Sequence, residues 1–231
     1  MRLLTLLAAP VLLAAGACIP YATGTTARPA PQGEVIPSAA VYFIPGGVDR
    51  MSGDSVGGSY FGLDPEVRFG IDGRSDVGIR APGVVGITVN YKRRVDGNGE
   101  MDGPALAYMV GAGVVNAGEH AHVEASLLAS GRQGEGFWLT PYGGIKAMQV
   151  FPLVEDAVSD DPTVGVFAGV RLGTEALGIS PEIAVFYDRS ALGLRDRDVI
   201  IVPSFTFHGD QLVSRLFGGT DTRRYPPRRW P

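Results

Sequence analysis

Along much of the chain, apolar residues return at every second position. Val67, Phe69 and Ile71 share one face, and Glu66, Arg68 and Gly70 the other. Val85, Ile87, Val89 and Tyr91 oppose Gly86, Thr88, Asn90 and Lys92; Ala121, Val123, Ala125 and Leu127 oppose His122, Glu124 and Ser126. Val164, Val166, Ala168, Val170 and Leu172 oppose Gly165, Phe167, Gly169, Arg171 and Gly173; Ile183, Val185 and Tyr187 oppose Glu182, Ala184, Phe186 and Asp188. A period of two is that of a strand, and long helical patterns are absent. The pattern predicts strands over 38–46, 66–71, 75–81, 84–95, 104–116, 121–131, 137–151, 163–175, 181–191 and 198–208. Turn chemistry such as DGR, DGNGEMDG, NAGEH, RQGEG and LRDR separates them. Short strands at this spacing predict an all-β chain, an antiparallel sandwich or barrel; the reading adopted is one antiparallel up-and-down barrel of 8–10 strands over 37–209.

Alternation alone leaves two opposite readings open. A soluble barrel of lipocalin type points the apolar row inward and binds an apolar ligand there. A membrane barrel points it at lipid and keeps the polar row inside. The polar row favours the second. It is rich in glycine (Gly70, Gly78, Gly86, Gly111, Gly113, Gly144, Gly165, Gly169, Gly173), which weakens a strand on a wet surface but makes room in a narrow lumen. Its charges also balance. Glu66, Asp76, Glu124, Glu182 and Asp188 are matched by Arg68, Arg80, Lys92, Lys146 and Arg171, so a neutral network can line and plug the interior. Tyr91, Tyr108, Tyr187, Phe205 and Phe207 in the apolar row suit an interfacial girdle, and many strands reach the roughly 9–11 residues of a tilted membrane strand.

The flanks add a compartment. Arg2 followed by the apolar run Leu3–Ala17 reads as a secretory signal peptide over 1–17. Ala15-Gly16-Ala17-Cys18 resembles the lipobox of bacterial lipoproteins, which implies acylation of Cys18, the only cysteine, after cleavage before it. Ile19, where an aspartate would retain such proteins, resembles the pattern sent to the outer membrane. Residues 18–36 read as a lipidated flexible tether, 210–218 as a short helix, and 219–231 as a disordered Arg/Pro-rich tail.

The segment PEVRFGIDGRSDVGIRAPGVVGITVNYKRRV makes 37–209 resemble the small outer-membrane β-barrel proteins of bacteria. The resemblance implies a bacterial outer-membrane location. It implies a non-enzymatic structural or envelope-interaction role, with outer-membrane lipid and periplasmic or surface envelope components as partners. With the N-terminus placed in the periplasm beside its lipid, the long connections 47–65 and 152–162 both fall outside.

Net charge is −4, which excludes a global basic field for nucleic acid. His120, His122 and Glu124 share a strand face as metal ligands would, but a turn histidine and a packed lumen histidine explain them, and no metal is assigned. His208 is similar to the histidine of outer-membrane lipid A deacylases. With Ser204 on its face, this keeps a lipid-modifying hydrolase as a further alternative. No nucleophile, base and orienting group stand together at motif spacing, so no catalytic residue is assigned. Asp96, Asn98, Glu100 and Asp102 begin like a calcium loop, but Ala107 stands where its glutamate is needed. GAGVVN from Gly111 lacks the helix that a dinucleotide fingerprint requires. No cofactor is expected.

Overall fold

The computed structural model describes residues 19–44, 60–96, 103–133, 138–154, 162–174, 177–187 and 199–209. Ten strands follow in chain order: β1 Val35–Ile44, β2 Tyr60–Asp72, β3 Ser75–Arg80, β4 Ile87–Arg94, β5 Ala105–Val115, β6 His120–Ser130, β7 Trp138–Pro152, β8 Thr163–Gly173, β9 Gly178–Tyr187 and β10 Val199–His208. Each pairs antiparallel with its sequence neighbours, and β1 pairs with β10 through Val41↔Phe205, which closes the barrel. Closure leaves none of the ten described strands at an edge with unpaired backbone groups.

Local chemistry explains the boundaries. The β2–β3 turn is tied by Asp72, whose Oδ1 accepts from the Arg74 amide at 2.7 Å and from Ser75 Oγ at 2.8 Å. Residues 84–86 are not strand, contrary to the periodicity. Pro82–Val84 form a 3-10 turn with Gly83 and Val84 at positive φ, and β4 starts at Ile87. β2 starts six residues before the expected 66, so 60–65 belong to the wall and not to a loop. Gly62, Asp64 and Pro65 look like loop residues but have wall roles. Asp64 faces the interior, and the Pro65 carbonyl accepts from the Ala81 amide at 2.8 Å.

The apolar row faces outward. Ile79, Ile87, Val89, Val110, Leu127, Ile145, Val166, Ile183 and Ile201 are among its exposed members. Among the described strand residues, Arg93, near the end of β4, is the one charge in that row. Aromatic residues mark its two ends: Phe69, Tyr91, Tyr108, Phe205 and Phe207 at the end where β2 and β4 finish, and Phe43, Phe61, Phe151 and Tyr187 at the other. The lipocalin-type alternative needed the apolar row to face inward, and in the structure that row faces outward.

The inward row packs aromatics over glycines on the neighbouring strand. Phe186 lies across Gly165, Phe167 across Gly144, Tyr142 across Gly169 and Tyr42 across Gly62. A Cβ on Gly165 would sit 2.3 Å from the Phe186 ring, and one on Gly62 2.0 Å from the Tyr42 ring. The glycine of the polar row thus makes room for large neighbours in a narrow interior.

Residues 19–34 do not form a solvated tether. They run through the lumen without joining the sheet, and residues 19–27 are buried. The segment leaves the lumen where β1 begins: the Gly33 amide donates to the Gly70 carbonyl, and Gly70 donates back to Glu34. At its far end Ile19 and Tyr21 lie beside Tyr42 and Phe186, close to where β1 and β9 finish; Tyr21 is edge-on to Phe186 at 5.2 Å and to Tyr42 at 6.3 Å. The start of the described chain is therefore at the opposite end of the barrel from the one expected for a periplasmic tether. The 210–218 helix, the 219–231 tail, residues 1–17 and Cys18 lie outside the described residues.

Candidate functional site

Among the described residues, three groups of buried charges on the lumen wall bind the N-terminal segment. The first spans β2, β3 and β4. The register sets Glu66 opposite Arg80 and Asp76 opposite Lys92, so acids and bases meet on adjacent strands. Arg68 is the hub, 2.6 Å from Glu66 and also bonded to Asp76; Arg80 is 3.2 Å from Glu66 and Lys92 3.3 Å from Asp76. Asn90 completes it, donating to Glu66 at 2.9 Å and accepting from Arg68 at 2.7 Å. The second group lies on β6 and β7. Lys146 is 2.8 Å from Glu124, and His122 Nε2 is 3.7 Å from the same carboxylate. The third is Glu182 on β9, which accepts from the Tyr142 hydroxyl at 2.9 Å.

The N-terminal segment ties these groups together through its main chain. Lys146 donates to the Pro20 carbonyl and Tyr42 to the Ile19 carbonyl. Arg80 donates to the carbonyls of Ala22 and Thr23 at 3.2 and 3.3 Å. Lys92 donates to Thr25 Oγ1 and to the carbonyls of Thr26 and Arg28 at 2.9, 3.1 and 2.8 Å. Glu182 accepts from the successive amides of Thr23 and Gly24 at 2.8 and 3.0 Å, and Asp76 from the Ala30 amide at 2.7 Å. Arg28 reaches the Gly131 carbonyl at 2.8 Å. Burying an ion costs several kcal/mol unless it is paired and hydrogen-bonded, and here the segment's main chain supplies partners to Lys146, Arg80, Lys92, Glu182 and Asp76.

Of the ten charges expected inside, Glu66, Arg68, Asp76, Arg80, Lys92, Glu124, Lys146 and Glu182 are buried in the lumen, and Arg171 is half-buried. Asp188 lies outside the described residues. The charges do not pair across an empty interior, because the N-terminal segment fills it. They pair along the wall within the first two groups, where register makes them neighbours. The periodicity missed Asp64 and Arg94, both buried. Asp64 accepts from the Gly83 amide at 2.9 Å. Arg94 binds Asp96 at 2.8 Å, and the Asp96 carboxyl is held down at about 2 by those guanidinium hydrogen bonds. The Thr/Ala/Pro composition of 19–31 has no period, and nothing in it signalled burial.

Other candidates fall into place on the same wall. His208 Nε2 is 2.8 Å from Ser180 Oγ, not from Ser204, which stands opposite Glu182 and Tyr42 in the ladders. Among the described residues, no group of three His, Cys, Asp or Glu is placed to hold a metal. GAGVVN ends β5 and enters the 3-10 turn Asn116–Gly118. Residues 97–102 and 155–161 lie outside the described residues.

No protein-family model matches the chain, and no curated protein does. Among solved structures it is similar to Ail, the attachment invasion locus protein of Yersinia pestis. The structure of Ail in complex with the heparin analogue sucrose octasulfate matches at 13% identity over 76% of this chain and 97% of that one, with a TM-score of 0.29. A second Ail structure matches at 13% identity over 77% and 97%, with a TM-score of 0.24.

Proposed function

We propose that this chain is a bacterial outer-membrane β-barrel with a closed lumen and a non-enzymatic, envelope-interaction role. One observation carries the reading: the outward row is apolar around the barrel, bounded by aromatic residues, and its one described charge stands near a rim. A large apolar side chain gains roughly 1.5–3 kcal/mol on leaving water, so about half that for each half-exposed residue repeated over ten strands is a strong drive into lipid. Charges inside and apolar residues outside is the arrangement of a membrane barrel. The two longest connections, 45–59 and 188–198, join strands at one end, which becomes the external face. Contacts with envelope components belong to these connections.

The leader over 1–17 exports the chain, and Cys18 accepts the acyl groups. Ile19, next in sequence, sits in the lumen beside Tyr42, near where β1 ends. Fractionation tests the barrel: the protein should stay in outer membranes through a carbonate wash, with or without acylation. Release of Cys18→Ser by carbonate would show that lipid alone holds it and end the membrane-barrel reading. Palmitate should label the wild type and not Cys18→Ser; equal labelling would remove the anchor.

A further inference from the structure

We propose that the lumen is a binding site for an extended peptide main chain, and that residues 19–32 are its exchangeable occupant. The inference rests on the segment closing the lumen, as read above. It does not depend on where the barrel is anchored.

The contacts define the ligand class. Lys146, Arg80 and Lys92 donate to carbonyls of Pro20, Ala22, Thr23, Thr26 and Arg28, and Glu182 and Asp76 accept from amides of Thr23, Gly24 and Ala30. These wall groups therefore recognise backbone, which any extended peptide carries. Side chains enter through Thr25 Oγ1, which accepts from Lys92, through Arg28, which donates to the Gly131 carbonyl, and as a size limit. The stretch 22–27 is Ala-Thr-Gly-Thr-Thr-Ala, and the wall closes on it: a Cβ on Gly24 would meet Thr206 Oγ1 at 2.4 Å. At the exit, a Cβ on Gly70 would meet the Pro31 carbonyl at 1.9 Å, so a glycine in the wall clears the path. The ligand is a peptide of mostly small residues, extended but for a glycine at φ +62°, with one aromatic near its start, where Tyr21 meets Phe186, and an arginine further on.

The same contacts make the occupant removable. From Ile19 to Pro31 the segment forms no ladder with any strand, so it can leave without breaking the barrel. It joins β1 through Gln32, Gly33 and Glu34, which are exposed, and Gly33 sits at φ +75° with open space around its Cβ position. When the segment leaves, Lys92, Arg80, Lys146 and Glu182 lose partners they need in the interior. The empty lumen then binds another main chain or admits water.

The test uses the protein isolated in detergent, with a specific-protease sequence inserted between Gln32 and Gly33 and cut after folding. The barrel wall stays wild type, so a folding failure of a wall variant does not enter. The cut N-terminal fragment should remain with the barrel on gel filtration. A labelled synthetic peptide of residues 19–32 in excess should replace it, and unlabelled peptide should compete. A peptide N-methylated at the Thr23 and Gly24 amides lacks the two N–H groups that Glu182 accepts, adds no Cβ at Gly24, and should bind at least tenfold more weakly. A fragment that never exchanges over a day, one that leaves without the labelled peptide entering, or an N-methylated peptide that binds as well as the native one would each overturn the proposal. None of these outcomes bears on the carbonate-wash test of the membrane reading.

Discussion

Ile145→Arg separates a lipid-facing wall from a wet one by the sign and size of a single effect. Ile145 lies at the middle of β7, half exposed in the outward row, with Leu127 and Val166 beside it on β6 and β8. An arginine at the bilayer midplane of a barrel costs about 2–4 kcal/mol, falling to about 0–1 near the interfaces. Every 1.4 kcal/mol is tenfold in an equilibrium constant, so Ile145→Arg should lower the folding equilibrium roughly 30- to 1000-fold. Phe151→Arg is the control, six positions along the same face beside the rim, and should stay within about 1 kcal/mol. On a soluble barrel both substitutions replace an exposed residue and should fall within about 0.5 kcal/mol of the wild type. Urea unfolding in lipid vesicles, followed by the shift in gel mobility between folded and unfolded forms, measures the difference. Equal small effects at the two positions would refute the outward-to-lipid assignment.

Three further outcomes follow from the lumen. Lys146→Met leaves Glu124 buried without its ion partner and should cost about 3–5 kcal/mol; adding Glu124→Leu should recover most of it, and losses that simply add in urea unfolding would show that the pair is not coupled. Gly24→Ala forces a side chain into φ +62° against Thr206, at about 1–2 kcal/mol, so hydrogen exchange at the Thr23 and Gly24 amides should speed up roughly 5- to 30-fold while the β7 and β8 amides hold. Asp96 titrates at about 2 in the folded chain against an ordinary 3.8, so its stabilising contact with Arg94 is complete above pH 3.8 and lost as pH falls toward 2. The stability difference between wild type and Asp96→Asn should shrink across that window; a constant difference would dismiss the contact.

Strands and faces were legible because a strand's side chains alternate whatever surrounds them. Residues 87–94 show it: Ile87, Val89 and Tyr91 against Thr88, Asn90 and Lys92 predict both the strand and its two rows. Boundaries failed where a residue had a tertiary use. Gly62 and Pro65 carry turn chemistry, yet β2 runs through them, because Tyr42 fills the space over Gly62 and the Pro65 carbonyl pairs with Ala81. The buried Asp64 and Arg94 escaped the alternation, and so did the partner of each inward charge, because register, which the pattern does not give, decides that Asp76 meets Lys92.

The alternation determined that a barrel would have one apolar and one charged surface. Only the tertiary structure decided that the apolar one faces out, since a period of two is the same seen from either side. The location of residues 19–34 was the least legible feature. Glu182 is 159 positions from Thr23, and its bond is to a backbone amide that every residue but proline carries. Recognition of that kind leaves no mark in side-chain order. It exists only once ten strands close and bring buried charges around a chain that can satisfy them.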